Sequence, residues 1–204
     1  MSTTPIRSVS IDGIVTWHIT VDGEHVLHRT DGPAVEYPNG TKEWYQNNVR
    51  HRIDGPAYVH PNGIEEWFVD GKRHRTDGPA SVTQHCQQWC VNGELHRLDG
   101  PAVEWTDGTK CWYVDGKRHR DDGPAIATPD GSSEWWVNNK RHNVDGPAVV
   151  YYKNGRKTAA FYYLHDQKMP KAKWEMYRNN SKVMTLKEIE AILGHSIILV
   201  ENHE

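Results

Sequence analysis

The sequence predicts a mainly β protein: an antiparallel β-meander of tandem 23-residue hairpin repeats, closed by a small α/β cap at the C-terminus. Three observations predict it. The motif HRxDGPA, or a one-letter variant of it, begins at His28, His51, His74, His96, His119 and His142. Successive copies lie 23, 23, 22, 23 and 23 residues apart, and a fixed period of this length marks a repeat array. Each unit also carries two turn signals, and its aromatic residues sit at alternating positions.

One unit runs HRTDGPAVEYPNGTKEWYQNNVR, residues 28–50. A first strand is expected over Ala34 to Pro38. Asn39-Gly40 then reads as a two-residue type I′ hairpin turn. A second strand, Thr41 to Gln46, carries Trp44. A further turn follows at Asn47-Asn48, and elsewhere at Asp70-Gly71, Asn92-Gly93, Asp115-Gly116 and Asn138-Asn139. Two turns per unit leave room for two short strands of ordinary length.

Alternation along the second strand puts Trp44, Trp67, Trp89, Trp112 and Trp135 on one face as a framework ladder. Tyr45, Phe68, Cys90, Tyr113 and Trp136 fall on the other. A sheet apolar on both faces needs cover on both, and HRxDGPA is a candidate cover for one of them. The DGPA segment is expected to turn through a Gly at positive φ. The Arg two residues before each Asp can pair with that Asp or with one in the next repeat.

The ends are irregular, as capping units are. Residues 1–27 read as a degenerate half repeat that keeps Asp12-Gly13 and Trp17. Residues 28–168 hold the six repeats. In the last, Tyr162 takes the Trp position. Residues 169–204 read as a helix–helix–strand cap: PKAKWEMYRNN, then LKEIEAIL behind a Thr185/Glu188 capping box with Gly194 as C-cap, then Ile197 to Val200.

The run YVDGKRHRDDGPA resembles a divergent MORN repeat, in which an aromatic, a Gly three residues on and a Lys-x-His-Gly tail mark each hairpin. Tyr113, Gly116, Lys117 and His119 fall on that pattern, while Arg120 stands at its second Gly. The resemblance covers residues 28–168. The HRxDGPA wording is also similar to tandem repeats of uncharacterised phage and large-virus proteins. What these resemblances imply is a scaffold or binding module rather than a catalyst. In a viral setting they imply a protein of the host cytoplasm that binds and inhibits a host defence factor.

Composition is consistent with a soluble cytoplasmic protein. The net charge is −3, no apolar run reaches the length of a membrane span, and the three cysteines make no disulfide framework. No GxSxG, HExxH, Walker or GxGxxG motif is present, and the repeat position alone accounts for six of the thirteen His. The expectation is no enzyme and no cofactor. His85, Cys86, Cys90 and Cys111 are soft ligands close in sequence. Their spacing is not that of a zinc knuckle, and alternation separates His85 from Cys86. No metal is expected.

Function is therefore sought where the copies differ. Three residues after each repeat Ala stand Tyr37, His60, Thr83, Trp105, Thr128 and Tyr151. This strip either faces a partner protein, with Tyr37, His60, Trp105 and Tyr151 as anchors, or packs under the tail. The turn tips Lys72, Arg73, Lys117 and Arg118 form a second candidate surface, for a protein, nucleotide or nucleic acid.

Overall fold

A computed structural model describes residues 4–180, which form a mainly β, antiparallel meander. The main sheet has 16 strands, and five two-stranded hairpins stand beside it. One repeat shows how the two parts join. Lys42–Glu43 pairs with Val35–Glu36 on one side and with Tyr58–His60 on the other. Trp44 then donates its N–H to Ala57 O at 2.8 Å, and its carbonyl accepts the N–H of His51 at 3.1 Å. Tyr45 and Gln46 pair onward with Arg50 and Val49. Residues 41–46 are thus one extended strand. Residues 49–60 are its partner, with a loop at 52–56 extruded opposite Trp44. The same pair of bonds recurs at Trp67, Trp89, Trp112 and Trp135.

The two turns of each repeat differ. The second is a true type I′ turn, with positive φ at both central residues: 51° and 61° at Asn47-Asn48, 48° and 74° at Asp70-Gly71. The first is not the two-residue I′ turn expected of Asn39-Gly40. Tyr37 N–H donates to Thr41 O at 2.9 Å, and Gly40 N–H donates to Tyr37 O at 2.9 Å. Only Gly40 has positive φ there. This is a three-residue loop, a type I turn ending in a left-handed Gly. Pro38 suits this loop, since its ring fixes φ near −65°, the value at the first central position of a type I turn. Proline is not required: Thr106 fills that place in the fourth repeat, where Trp105 N–H donates to Thr109 O and Gly108 N–H donates to Trp105 O, both at 2.9 Å. The unit one residue shorter closes at Thr83 and Cys86 instead, with Thr83 N–H donating to Cys86 O at 2.9 Å.

The extruded loop is held by its arginine. Arg52 Nε donates to Asp54 Oδ1 at 2.9 Å, and its Nη1 donates to Pro56 O at 3.2 Å. The guanidinium carbon lies 4.2 Å from the centroid of the Trp44 ring. The arrangement repeats at Arg29 on Trp17, Arg75 on Trp67, Arg97 on Trp89 and Arg120 on Trp112, at 4.0–4.2 Å. Cation–π contact, an ion pair and a carbonyl bond thus act on one side chain. The loop does cover the Trp face, as expected.

The loop glycines differ from expectation. Gly55, Gly78, Gly100 and Gly123 do not have positive φ. A Cβ on Gly55 would stand 2.8 Å from Arg52 Cζ. In these copies the arginine folds back over the glycine. The sixth copy keeps its glycine, Gly146, without the arginine. Asn143 replaces Arg and donates to Pro147 O at 3.1 Å, and a Cβ on Gly146 meets nothing nearer than 3.6 Å.

The repeat His pins the second turn of its own unit. Asp70 N–H donates to His51 Nδ1 at 3.2 Å, and Asp115 N–H to His96 Nδ1 at 3.2 Å. Equivalent bonds join His28 to Asn47, His74 to Asn92, His119 to Asn138 and His142 to His165. The six His are thus occupied within their own units, while each loop Arg, seated on the Trp of the preceding unit, joins one unit to the next.

At the N-terminal end Trp17 keeps its place in the ladder, with its N–H on Ala34 O at 2.8 Å. At the other end Tyr162 follows Phe161, which pairs with Val149, so Tyr162 does stand at the Trp position. Its ring meets Trp174 of the helix Lys171–Asn180, at 4.9 Å between centroids. Trp174, Leu164 and Met169 form a buried cluster, and Trp174 Nε1 donates to Asn143 O at 3.1 Å. The helix thus covers the last rung where no loop arginine is available. The expected second helix, its Gly194 cap and the strand Ile197 to Val200 lie outside the described residues.

Candidate functional site

Pairing register assigns each residue to a face. Val35, Glu43, Tyr58, Glu66, Ser81 and Gln88 are cross-strand partners in succession and share one face. Two residues along on the same strands stand the strip Tyr37, His60, Thr83, Trp105, Thr128 and Tyr151. The Trp ladder and the Arg–Asp loops occupy the opposite face.

On the strip face Trp105 is 42% exposed and Tyr151 41%. Tyr37 and His60 are half-buried. Tyr37 sits against its own sheet: burial, and then the Glu43 carboxylate, push its hydroxyl above the usual tyrosine range. Tyr151 meets Phe161 edge-on at 6.2 Å. The strip is therefore uneven, open at Trp105 and Tyr151 and packed at Tyr37.

The turn-tip set divides in two. Lys72 and Lys117 are exposed. Arg73 pairs with Glu66 and lies 5.8 Å from the Phe68 centroid. Arg118 Nε donates to Tyr113 Oη at 3.1 Å, and its guanidinium carbon lies 5.2 Å from the Trp136 centroid. Arg50 does the same with Glu43 at 3.0 Å. These arginines interleave the second aromatic ladder, a role that the sequence reading missed. The Glu–aromatic–Arg recurrence at 43/45/50, 66/68/73 and 134/136/141 is the signal that carries it. The third repeat breaks this ladder with Gln88, Cys90 and Leu95.

The Trp face holds five open clefts of 490–710 Å³, one between each pair of successive loops. Each has a ladder Trp in its lining. In the central one Trp89 and Val91 lie between Arg75–Gly78 and Arg97–Asp99. The framework Trp residues are half-buried rather than fully enclosed. The loops cover one side of each ring, and the cleft leaves another open.

Cys86, Cys90 and Cys111 are free thiols. Burial pushes Cys90 and Cys111 above the usual thiol range, which keeps them protonated and poor as nucleophiles or ligands. Among the described residues no three His, Cys, Asp or Glu gather in a metal-binding group, and no helix is long and apolar enough to cross a membrane.

No protein-family model matches this chain, and no curated protein matches it either.

Proposed function

We propose that the chain is a non-catalytic protein-binding module. A stiff β-meander holds the strip Tyr37, His60, Trp105 and Tyr151 against a partner protein. The observation that carries this reading is the exposure of Trp105 and Tyr151 within a repeat whose other recurrent side chains bond internally. Exposed Trp and Tyr on a rigid support are favoured anchors, since they bury much area for little rotamer entropy. The repeat His and loop Arg–Asp pairs are occupied by turns and loops, which leaves the recurrent charges without a catalytic assignment.

The resemblance to phage and large-virus repeats makes a host defence factor the first partner to test. Phosphate binding at the turn tips is the weaker reading, because Arg73 and Arg118 are stacked on aromatics and only the lysines stay open. The experiment is co-purification from host lysate by the parent chain and by a Trp105→Ala/Tyr151→Ala variant. Partners retained by the parent and lost by the variant support the strip. Equal retention removes it. Binding to RNA that falls steeply with salt and with Lys72 and Lys117 replaced moves the reading to the turn tips.

A further inference from the structure

The Trp-floored clefts form a row with a fixed pitch. Each repeat adds two strands, and neighbouring strands lie ~4.7–4.9 Å apart, so successive clefts lie ~9.4–9.8 Å apart. A polyproline II helix rises ~3.1 Å per residue with three residues per turn, and so presents every third side chain on one side at ~9.3 Å. The two periods agree. An extended strand does not match, because its residues i and i+3 point to opposite sides. An α-helix returns to the same side after seven residues, ~10.5 Å, and falls about 1 Å further out of step at each cleft.

The chemistry of the clefts points the same way. Proline-rich segments dock on aromatic-lined grooves. The Trp floor supplies the aromatic surface, and the loop-tip residues Ile53 and Leu98, 83% and 80% exposed, supply apolar walls. The rim is acidic. The loop Asp side chains are 81–84% exposed, while the Arg that each engages through one oxygen lies beneath on Trp. The second oxygen of each ion-paired carboxylate is left to accept hydrogen bonds from a cationic ligand.

We propose that this face binds a basic, proline-rich segment of a partner protein in the polyproline II conformation. One Pro per turn lies against each ladder Trp, and one Lys or Arg per turn meets the loop aspartates. This site lies on the face opposite the aromatic strip and does not rest on it.

The test is fluorescence anisotropy of a labelled peptide of four Pro-Ala-Arg triplets titrated with the full chain. A scrambled peptide of equal composition, with its prolines out of step, serves as comparison. The scrambled peptide binds at least about tenfold more weakly. Adding triplets from one to four strengthens binding stepwise through effective concentration. The surface variant Ile53→Ser/Leu98→Ser weakens it with an unchanged circular dichroism spectrum, and Trp105→Ala leaves it unchanged. Equal binding of the scrambled peptide overturns the proposal, since charge alone then suffices. Absence of binding overturns it as well, as does loss of binding on Trp105→Ala or capture of a β-linked glucose oligosaccharide in place of the peptide.

Discussion

The two faces of this sheet use the same amino acid for different ends. Trp89 lies in the ladder, with Arg97 4.1 Å from its ring centroid and a repeat Ala beside it. Trp105 lies one strand away on the opposite face and is 42% exposed. The ladder positions recur in every unit, while the strip positions change from unit to unit. Residues that join one unit to the next must be alike in all of them, whereas residues that meet something else are free to vary.

The sharpest way to break this comparison is to make one substitution on each face. Trp89→Ala removes a half-buried ring and leaves the Arg97 guanidinium without its platform. It is expected to cost about 2–3 kcal/mol in urea unfolding, below the range for full burial. Trp105→Ala is expected to stay within about 0.5 kcal/mol of the parent. Similar losses at both sites would mean that the strip is packed and not presented.

A second, smaller effect isolates the loop arginine. Arg97→Lys keeps the charge but loses the planar contact with Trp89 and the fork that reaches both Asp99 and Pro101 O. A cost of about 1–2 kcal/mol is expected. An unchanged unfolding midpoint would show that charge alone holds the loop.

The glycines give a finer contrast. Gly123→Ala places a methyl 2.8 Å from Arg120 Cζ, while Gly146→Ala meets only Asn143 Nδ2 at 3.6 Å. The first is expected to cost about 1 kcal/mol and the second almost nothing. Measured in an Arg120→Ala background, the Gly123 penalty should vanish, a double-mutant cycle that tests the contact itself.

Acid should act on the Trp face in two steps. Burial, and then the nearby His165, hold His142 below the usual imidazole range. Its contribution is present above about pH 6.5 and is lost as pH falls through the lower folded value. Hydrogen bonds from the loop arginines hold Asp31, Asp54, Asp77, Asp99 and Asp122 below the usual carboxylate range. Their contribution is present above about pH 4 and is lost as pH falls further. Urea midpoints from pH 8 to pH 3 should decline in that order. A midpoint that rises on acidification would contradict both assignments.

Much of this was legible in the residues. The 23-residue period, the turn at each Asn-Gly or Asp-Gly, the Trp position and even Tyr162 as its last member follow from local chemistry. The first turn was misread because Asn-Gly serves both a two-residue I′ turn and a three-residue loop that ends in a left-handed Gly, and only the strand register decides between them. The loop glycines were misread because none of them has a positive φ; an arginine folds back over five of them, and Gly146 has no such neighbour. The strip was only half legible: alternation put Tyr37 and Trp105 on one face, but only packing shows that one is pressed against Glu43 and the other open.

The sequence by itself determined the repeat, its two strands and its turns, because each depends on the preferences of residues adjacent in the chain. The tertiary structure decided what the charged residues do. Arg52 reaches Trp44, Arg73 reaches Glu66, and His51 reaches the turn at Asp70 only once two strands lie side by side. Periodicity announces that such groups recur. Only the register of the sheet selects which of them meet, and so which residues remain free to face a partner.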